Sequence, residues 1–178
     1  MPGTTMLSLS LSLALGMSAI APASAATLLH SYSFDNGASD GVADADGTLL
    51  NGAVVVDSAL VLDGVDDFVQ FDSHLVPTSG SYAVSLFFKQ DRAQTIHVEY
   101  ISQGQSGGPG FYLGQDPARR FRATDSWVST GVALPAVGEW HHLALNVDAA
   151  ANQSTLYLDG SAVANLAFAI ATTSNGTH

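Results

Sequence analysis

Tyr82-Ala83-Val84-Ser85-Leu86-Phe87-Phe88-Lys89 is the stretch that decides the fold. Side chains along an extended chain alternate between two faces, so Tyr82, Val84, Leu86 and Phe88 share one side and Ala83, Ser85, Phe87 and Lys89 the other. The first set is apolar throughout and needs a second layer to cover it. A short run with this period is a strand rather than an amphipathic helix. The same rhythm extends in both directions. Upstream, Ser31-Tyr32-Ser33-Phe34 alternates polar and aromatic. Residues 53–56 and 59–62 flank Asp57-Ser58 as the arms of a hairpin would, and residues 68–71 follow the turn Asp63-Gly64-Val65-Asp66-Asp67. Downstream come residues 95–102, 110–114, 119–123, 127–130, 139–147, 155–158 and 162–168, separated by Gly, Asp, Asn and Pro. Residues 148–152 read as a loop between two of these runs. About ten to twelve short strands at regular spacing, with no helix after residue 25, predict an all-β, two-sheet antiparallel jelly-roll sandwich.

Composition narrows the function. A chain of 178 residues is one domain with a real core. Five Lys and Arg stand against sixteen Asp and Glu, a net charge of −11, which repels a phosphate backbone and argues against nucleic acid as a partner. Cysteine is absent, so neither a disulfide framework nor thiolate chemistry is available. The N-terminus carries an apolar run over residues 6–20, followed by Ala21-Pro22-Ala23-Ser24-Ala25. This reads as a signal peptide over residues 1–25, cut after Ala25, although no Lys or Arg precedes the apolar run. The competing readings are an uncleaved buried helix or an anchor, for which the run falls short of the roughly 20 residues that a span needs. The mature domain is then residues 26–178, secreted or periplasmic, with no later segment able to span a membrane.

Four stretches carry a family resemblance. Ala59-Leu60-Val61-Leu62-Asp63-Gly64-Val65-Asp66-Asp67-Phe68-Val69 comes first, then residues 82–89. Gly138-Glu139-Trp140-His141-His142-Leu143-Ala144 and Thr155-Leu156-Tyr157-Leu158-Asp159-Gly160 follow in order. Together they resemble the laminin-G-like, concanavalin A-like jelly-roll domains, across most of residues 27–168. The resemblance implies two facing antiparallel sheets and binding of glycans or proteins, often with calcium. It names no single ligand, because this fold hosts lectins, adhesion modules and glycosidases alike. It also implies a final strand that returns to pair with the first. The sequence closes on Ser174-Asn175-Gly176-Thr177-His178 without that strand. The expectation is therefore a sandwich lacking it, with an open edge beside residues 28–34. Either the chain is a fragment or a neighbouring chain completes the edge.

Candidate sites follow from residue chemistry. The loop of residues 35–47 holds Asp35, Asp44 and Asp46 among glycines. Calcium is a hard cation that takes six to eight oxygens, and such a loop supplies carboxylates and carbonyls together. Asp35 also matches the aspartate that the resembled family places at the end of its first strand for calcium. The competing reading is a solvated turn whose acids cap backbone groups. In the turn of residues 63–67, Gly64 suits a left-handed backbone and the acids read as caps. Trp127, Tyr112 and Phe111 offer a platform on which a sugar ring could stack, with core packing as the alternative. Arg119, Arg120 and Arg122 are the one cationic cluster. Alternation puts Arg120 and Arg122 on one face, either neutralising nearby acids or meeting an anionic glycan. His141 and His142 point to opposite faces and cannot readily share a metal.

Catalysis on a sugar needs a pair of carboxylates on one face. Glu99, Asp125 and Glu139 do not repeat at the two-residue spacing that the superfamily's glycosidases carry, and no nucleophile elbow or phosphate loop is present. The sequence thus points to a non-catalytic recognition module outside the cytoplasm, binding glycan or protein. Calcium would sit at Asp35, Asp44 and Asp46, and Trp127, Tyr112, Arg120 and Arg122 would touch the ligand. The alternatives are a structural subunit that self-associates through its open edge, and a glycosidase-like domain without an intact carboxylate set.

Overall fold

The computed structural model describes residues 26–104, 110–124 and 129–167. Among them are twelve strands and no helix. The strands are β1 (Gly47–Leu50), β2 (Val54–Val56), β3 (Ala59–Val61), β4 (Phe68–Phe71), β5 (Tyr82–Phe88) and β6 (Val98–Gly104). They continue with β7 (Gly110–Gln115), β8 (Arg120–Thr124), β9 (Ser129–Ala133), β10 (His141–Asp148), β11 (Gln153–Leu158) and β12 (Ser161–Leu166). Two four-stranded antiparallel sheets, ordered β12-β11-β10-β5 and β6-β7-β8-β9, form the sandwich. The all-β, two-layer expectation is what the chain adopts.

Alternation builds the core. On β5, Tyr82, Val84, Leu86 and Phe88 turn inward while Ala83, Ser85 and Phe87 are exposed. Antiparallel pairing sets Leu143 opposite Leu86 and Leu145 opposite Val84, so β10 presents the same face. From the other sheet, Phe111 and Leu113 of β7 and Phe121 and Ala123 of β8 meet Phe88, Leu143, Leu145, Val147 and Leu156, with Val76 joining from a loop. Phe88 ties the layers, 6.0 Å edge-on from Phe121 and 4.9 Å in a stack with Tyr100. Each fully buried Leu or Phe contributes about 1.5–3 kcal/mol, so this seam dominates stability.

Two buried glutamines close the inward face of the second sheet. Gln103 lies opposite Phe111 on β6, and its Oε1 accepts the N–H groups of Leu75 and Val76 at 2.9 Å each. Its Nε2 donates to the Val76 carbonyl at 2.7 Å. Gln115 accepts from Gln90 at 2.6 Å and donates to the Gln94 carbonyl at 2.9 Å. Loops that would expose backbone groups are thus fastened to the sheet.

Outside the sandwich, β1 pairs with β4 and β2 with β3. The β2–β3 hairpin turns on Asp57 and Ser58 with φ of 50° and 58°, a twist that matches antiparallel strands. β1 was not foreseen, because the acidic loop ends in it. Gly47 opens it, and a Cβ there would fall 2.5 Å from Val69 Cγ1 and 2.8 Å from a Phe71 ring carbon.

Residues 31–34 are not a strand, contrary to the alternation of their sequence. The acidic loop takes both backbone groups of Ser31: its N–H donates to Asp40 Oδ1 at 3.1 Å, and Gly41 N–H donates to its carbonyl at 2.8 Å. Phe34 has a left-handed φ of 58°. Residues 148–152 form the loop expected, with Asp148 Oδ1 accepting the N–H groups of Ala150 and Ala151. The predicted signal peptide, Trp127, Phe168 and the segment after residue 167 lie outside the described residues. No helix among the described residues is long and apolar enough to cross a membrane.

Candidate functional site

The outer face of β6–β9 gathers two of the residues singled out from sequence. Phe111 and Leu113 point into the core, so Tyr112 and Gly114 point away from it. Phe121 and Ala123 do the same for Arg122. The ladder sets Glu99 of β6 opposite Gly114 of β7, and Gly114 opposite Arg122 of β8, one row across three strands. The Arg122 guanidinium carbon lies 4.5 Å from the centre of the Tyr112 ring, a cation held over an aromatic face. Both side chains are buried, at 1% and 2% exposure, whereas Glu99 is exposed.

A glycine sets this row. A Cβ on Gly114 would lie 2.0 Å from the Val98 carbonyl oxygen and 2.9 Å from Glu99 Cα. β6 is irregular between Glu99 and Ile101, and its backbone folds down onto the bare Gly114. Glu99 then comes close enough for its charge to act on both neighbours. Burial pulls the Arg122 pKa down, with Glu99 and Tyr112 opposing it. Burial likewise raises the Tyr112 phenol, Glu99 adding to the rise and Arg122 opposing it. Arginine keeps its charge through such shifts. Of the three groups, the Glu99 carboxylate stands in solvent, while the Arg122 guanidinium and the Tyr112 phenol are covered and set its charge environment from behind.

The other two predicted contacts are Trp127, which lies outside the described residues, and Arg120. Arg120 does not share the setting of Arg122: it stands in solvent, its N–H donating to Asp116 Oδ1 at 2.9 Å, and the β8–β9 register shifts between the two. Phe111 is core, fully buried, and no part of a platform. Glu99 was weighed from sequence only as a catalytic acid. Its place opposite Arg122 depends on pairing between strands, which local patterning does not reveal.

The acids occupy two regions. In the loop of residues 35–47, Ser58 and Ser33 hydroxyls donate to Asp35 and lower its pKa against a small desolvation effect. Asp46 Oδ1 accepts the Asp40 N–H at 2.7 Å, and Asp44 is exposed. Asp40, which sequence reading passed over, is the organising group. Its side chain is fully shielded, His30 Nδ1 lies 2.6 Å from Oδ2, and Val42 N–H donates to Oδ1 at 3.0 Å. Desolvation pushes its pKa up. The His30, Ser31, Val42 and Ala43 hydrogen bonds outweigh that effect and hold the carboxyl well below the usual range.

Among the described residues, the carboxylates that converge are Asp63, Asp66 and Asp67, with oxygens within 4.8 Å of one another; Asp35, Asp44 and Asp46 form no such group. That turn is also capped as expected. Gly64 has φ 73°, Asp63 Oδ1 accepts Val65 N–H at 2.8 Å, and Asp67 Oδ2 accepts Asp63 N–H at 2.8 Å. The Val65 bond leads the forces that lower the Asp63 pKa. The N–H groups of this turn are capped by Asp63 and Asp67 rather than by the Asp66 carboxylate, which is left to a hard cation.

The histidines are held structurally. Asp159 Oδ2 lies 2.8 Å from His141 Nδ1 and its Oδ1 accepts the His142 N–H at 2.9 Å, joining the β11–β12 turn to the start of β10. The His141 ring packs 5.9 Å from Phe88 and the His142 ring 4.9 Å from Phe87, on opposite faces as expected.

Two antiparallel four-stranded sheets facing each other over one apolar core define a two-layer β-sandwich. The family model described as the concanavalin A-like lectin/glucanases superfamily matches residues 63–178, and the chain belongs to that superfamily. The match spans the strands of the sandwich and begins at the acidic turn. No characterised relative matches the chain by sequence.

Proposed function

We propose that this protein is an exported, non-catalytic recognition module that binds glycan at the outer face of β6–β9. The row Glu99–Gly114–Arg122 beside Tyr112 carries this reading. The exposed Glu99 carboxylate can accept hydrogen bonds from sugar hydroxyls, with the buried Arg122 across the bare glycine as its countercharge and Tyr112 beside that cation. Glu99 is the sole acid in the described parts of these four strands, which supports binding over hydrolysis, since hydrolysis needs two carboxylates. Export would follow from the apolar run and the Ala21–Ala25 segment, with cleavage after Ala25. N-terminal sequencing of the exported chain checks this. For the binding site, the folded wild type is applied to an immobilised glycan array beside Glu99→Gln and Tyr112→Phe. Binding that weakens in both supports the reading; no binding, or binding indifferent to both, refutes it.

Calcium belongs to this proposal at the turn of Asp63, Asp66 and Asp67, because that is where carboxylates converge. Asp66→Asn tests it without removing a cap. Millimolar calcium should raise the melting temperature of the wild type and leave the variant unchanged; an unmoved wild type refutes a metal there.

A second reading, self-association through an edge, has one observation in its favour. Leu28 and Leu29 are 66% and 47% exposed in a segment without ladder bonds among the described residues. A monomer by light scattering at high concentration would end it.

A further inference from the structure

The opposite sheet carries a different surface, which the glycan-binding row does not use. Phe87 is 70% exposed and Trp140 is 55% exposed, the most exposed aromatic side chains among the described residues. They stand together. Phe87 is the register partner of His142, with ring centres 4.9 Å apart. Trp140 lies two residues before His142, about 7 Å along the chain on the same side. Lys89 Nζ lies 5.8 Å from the Trp140 ring centre and 3.2 Å from Asp91 Oδ1. Beyond these rings the outward positions are Ser85 opposite Ala144, Ala83 opposite Asn146, Asn146 opposite Thr155, and Ala144 opposite the half-buried Tyr157, which adds a further ring on β11. Phe87, His142, Trp140 and Tyr157 thus share one outward face with short side chains between them, and the carboxylates near it stand at its ends, Asp91 on Lys89 and Asp148 at the last position of β10.

Charge and size select the occupant. The chain carries −11, so a polyanion or an anionic membrane is repelled. A second copy would bring two such charges together. A peptide that adds a strand takes a sheet edge, not its face. A neutral pyranose fits: its C–H face stacks on exposed rings, its equatorial hydroxyls reach the Ser, Asn and Thr groups beside them, and it brings no charge.

We propose that Phe87, His142 and Trp140 form a second carbohydrate site, which stacks a neutral β-linked hexose chain against the outer face of β5 and β10. The site is independent of Glu99, Tyr112 and Arg122, which lie on the other sheet. Its test is native affinity electrophoresis of the mature chain in gels containing hydroxyethylcellulose or galactomannan, with Phe87→Ala, Trp140→Ala and Glu99→Gln run in parallel. Both aromatic positions are exposed, so folding should survive, and unchanged circular dichroism and melting temperature confirm this. The expected result is retardation of the wild type and of Glu99→Gln, with affinity about five- to tenfold weaker for each ring removed. Absence of retardation on both polymers overturns the proposal, as does retardation that Phe87→Ala and Trp140→Ala leave unchanged. Retardation lost only in Glu99→Gln overturns it too, and assigns the polymer to the other sheet.

Discussion

Replacing Gln103 by Met should destabilise this protein more than replacing most of its apolar residues by a similar-sized one. Gln103 is 3% exposed and makes three bonds to two backbone residues, accepting from Leu75 and Val76 N–H and donating to the Val76 carbonyl. Methionine keeps the length and removes every partner. A net bond contributes about 1 kcal/mol, and a buried group left without a partner costs about 1–3 kcal/mol. Val76 is 3% exposed and loses partners at both its N–H and its carbonyl, while the part-buried Leu75 N–H can turn to water. The sum is about 3–4 kcal/mol, a large share of the ~5–15 kcal/mol that such a domain holds. With a urea slope of about 1–3 kcal/mol per molar, the unfolding midpoint falls by more than ~1 M. Equilibrium urea unfolding, followed by circular dichroism with the slope fitted for each protein, measures it. A loss below ~1 kcal/mol would mean that the loop of residues 72–77 is held by the Val76 side chain alone, and the reasoning from buried backbone groups would fail.

Gly114→Ala should cost at least ~3 kcal/mol or abolish folding, because its Cβ would press on the Val98 carbonyl rather than on a movable side chain. Gly131→Ala, which has open space but φ 80°, should cost about 1 kcal/mol; similar chemical-denaturation midpoints for the two would contradict this. The depressed Asp40 pKa means that its carboxylate stabilises the fold above the unfolded value near 3.9 and ceases to do so as pH falls through and below it. Stability measured from pH 6 to 2 should therefore drop less steeply in Asp40→Asn than in the wild type. Tyr32 moves the other way. Burial, then Asp40 and Asp46, raise its phenol to about 12, so its contribution is full below pH 10 and disappears above it. Tyr32→Phe should lessen the alkaline loss of stability. Asp159→Ala should lower the melting temperature and disorder the His141 ring, which the His141 ring resonances report, and speed amide exchange at His142; unchanged exchange would show that the turn holds itself.

The sandwich was legible because its information is local. The period of two in residues 82–88 and 141–147, and the Asp159-Gly160 turn with φ 49° and 79°, each state a strand or its end without reference to anything distant. Where reading failed, the deciding partner was remote in sequence. Residues 31–34 carry a strand's alternation, yet Asp40 and Gly41 hold both backbone groups of Ser31, and Phe34 is left-handed at φ 58°. β1 hides at the end of an acidic loop, and only its pairing with β4 defines it. For the site, Tyr112 and Arg122 were found as residue types, and their stacking follows from a register that no single strand encodes. Arg120 has the same chemistry as Arg122 but a different neighbourhood. Gln103 and Gln115 look like surface residues in sequence and become buried fasteners only because loops with unpaired backbone groups lie over them.

The two outer faces also differ in how salt should act on them, and this separates their functions. On β6–β9 the ligand would meet the exposed Glu99 with the buried Arg122 behind it, so part of its affinity is electrostatic. Glu99 is exposed and fully open to counterions, and at 1 M salt the screening length falls to about 3 Å, shorter than the span across Gly114. Arg122 is buried and keeps more of its field, so binding there should weaken severalfold between about 0.05 and 1 M sodium chloride rather than vanish. On β5–β10 the groups are rings with free faces. Stacking buries apolar surface, which sulfate strengthens and sodium chloride leaves nearly unchanged. Binding measured at both salt concentrations, on Phe87→Ala for the first face and on Glu99→Gln for the second, should give one salt-sensitive and one salt-indifferent curve. If both curves fall together, the shelf of Phe87 and Trp140 is working through Lys89 and its charge rather than through its rings, and the division of labour between the sheets is wrong.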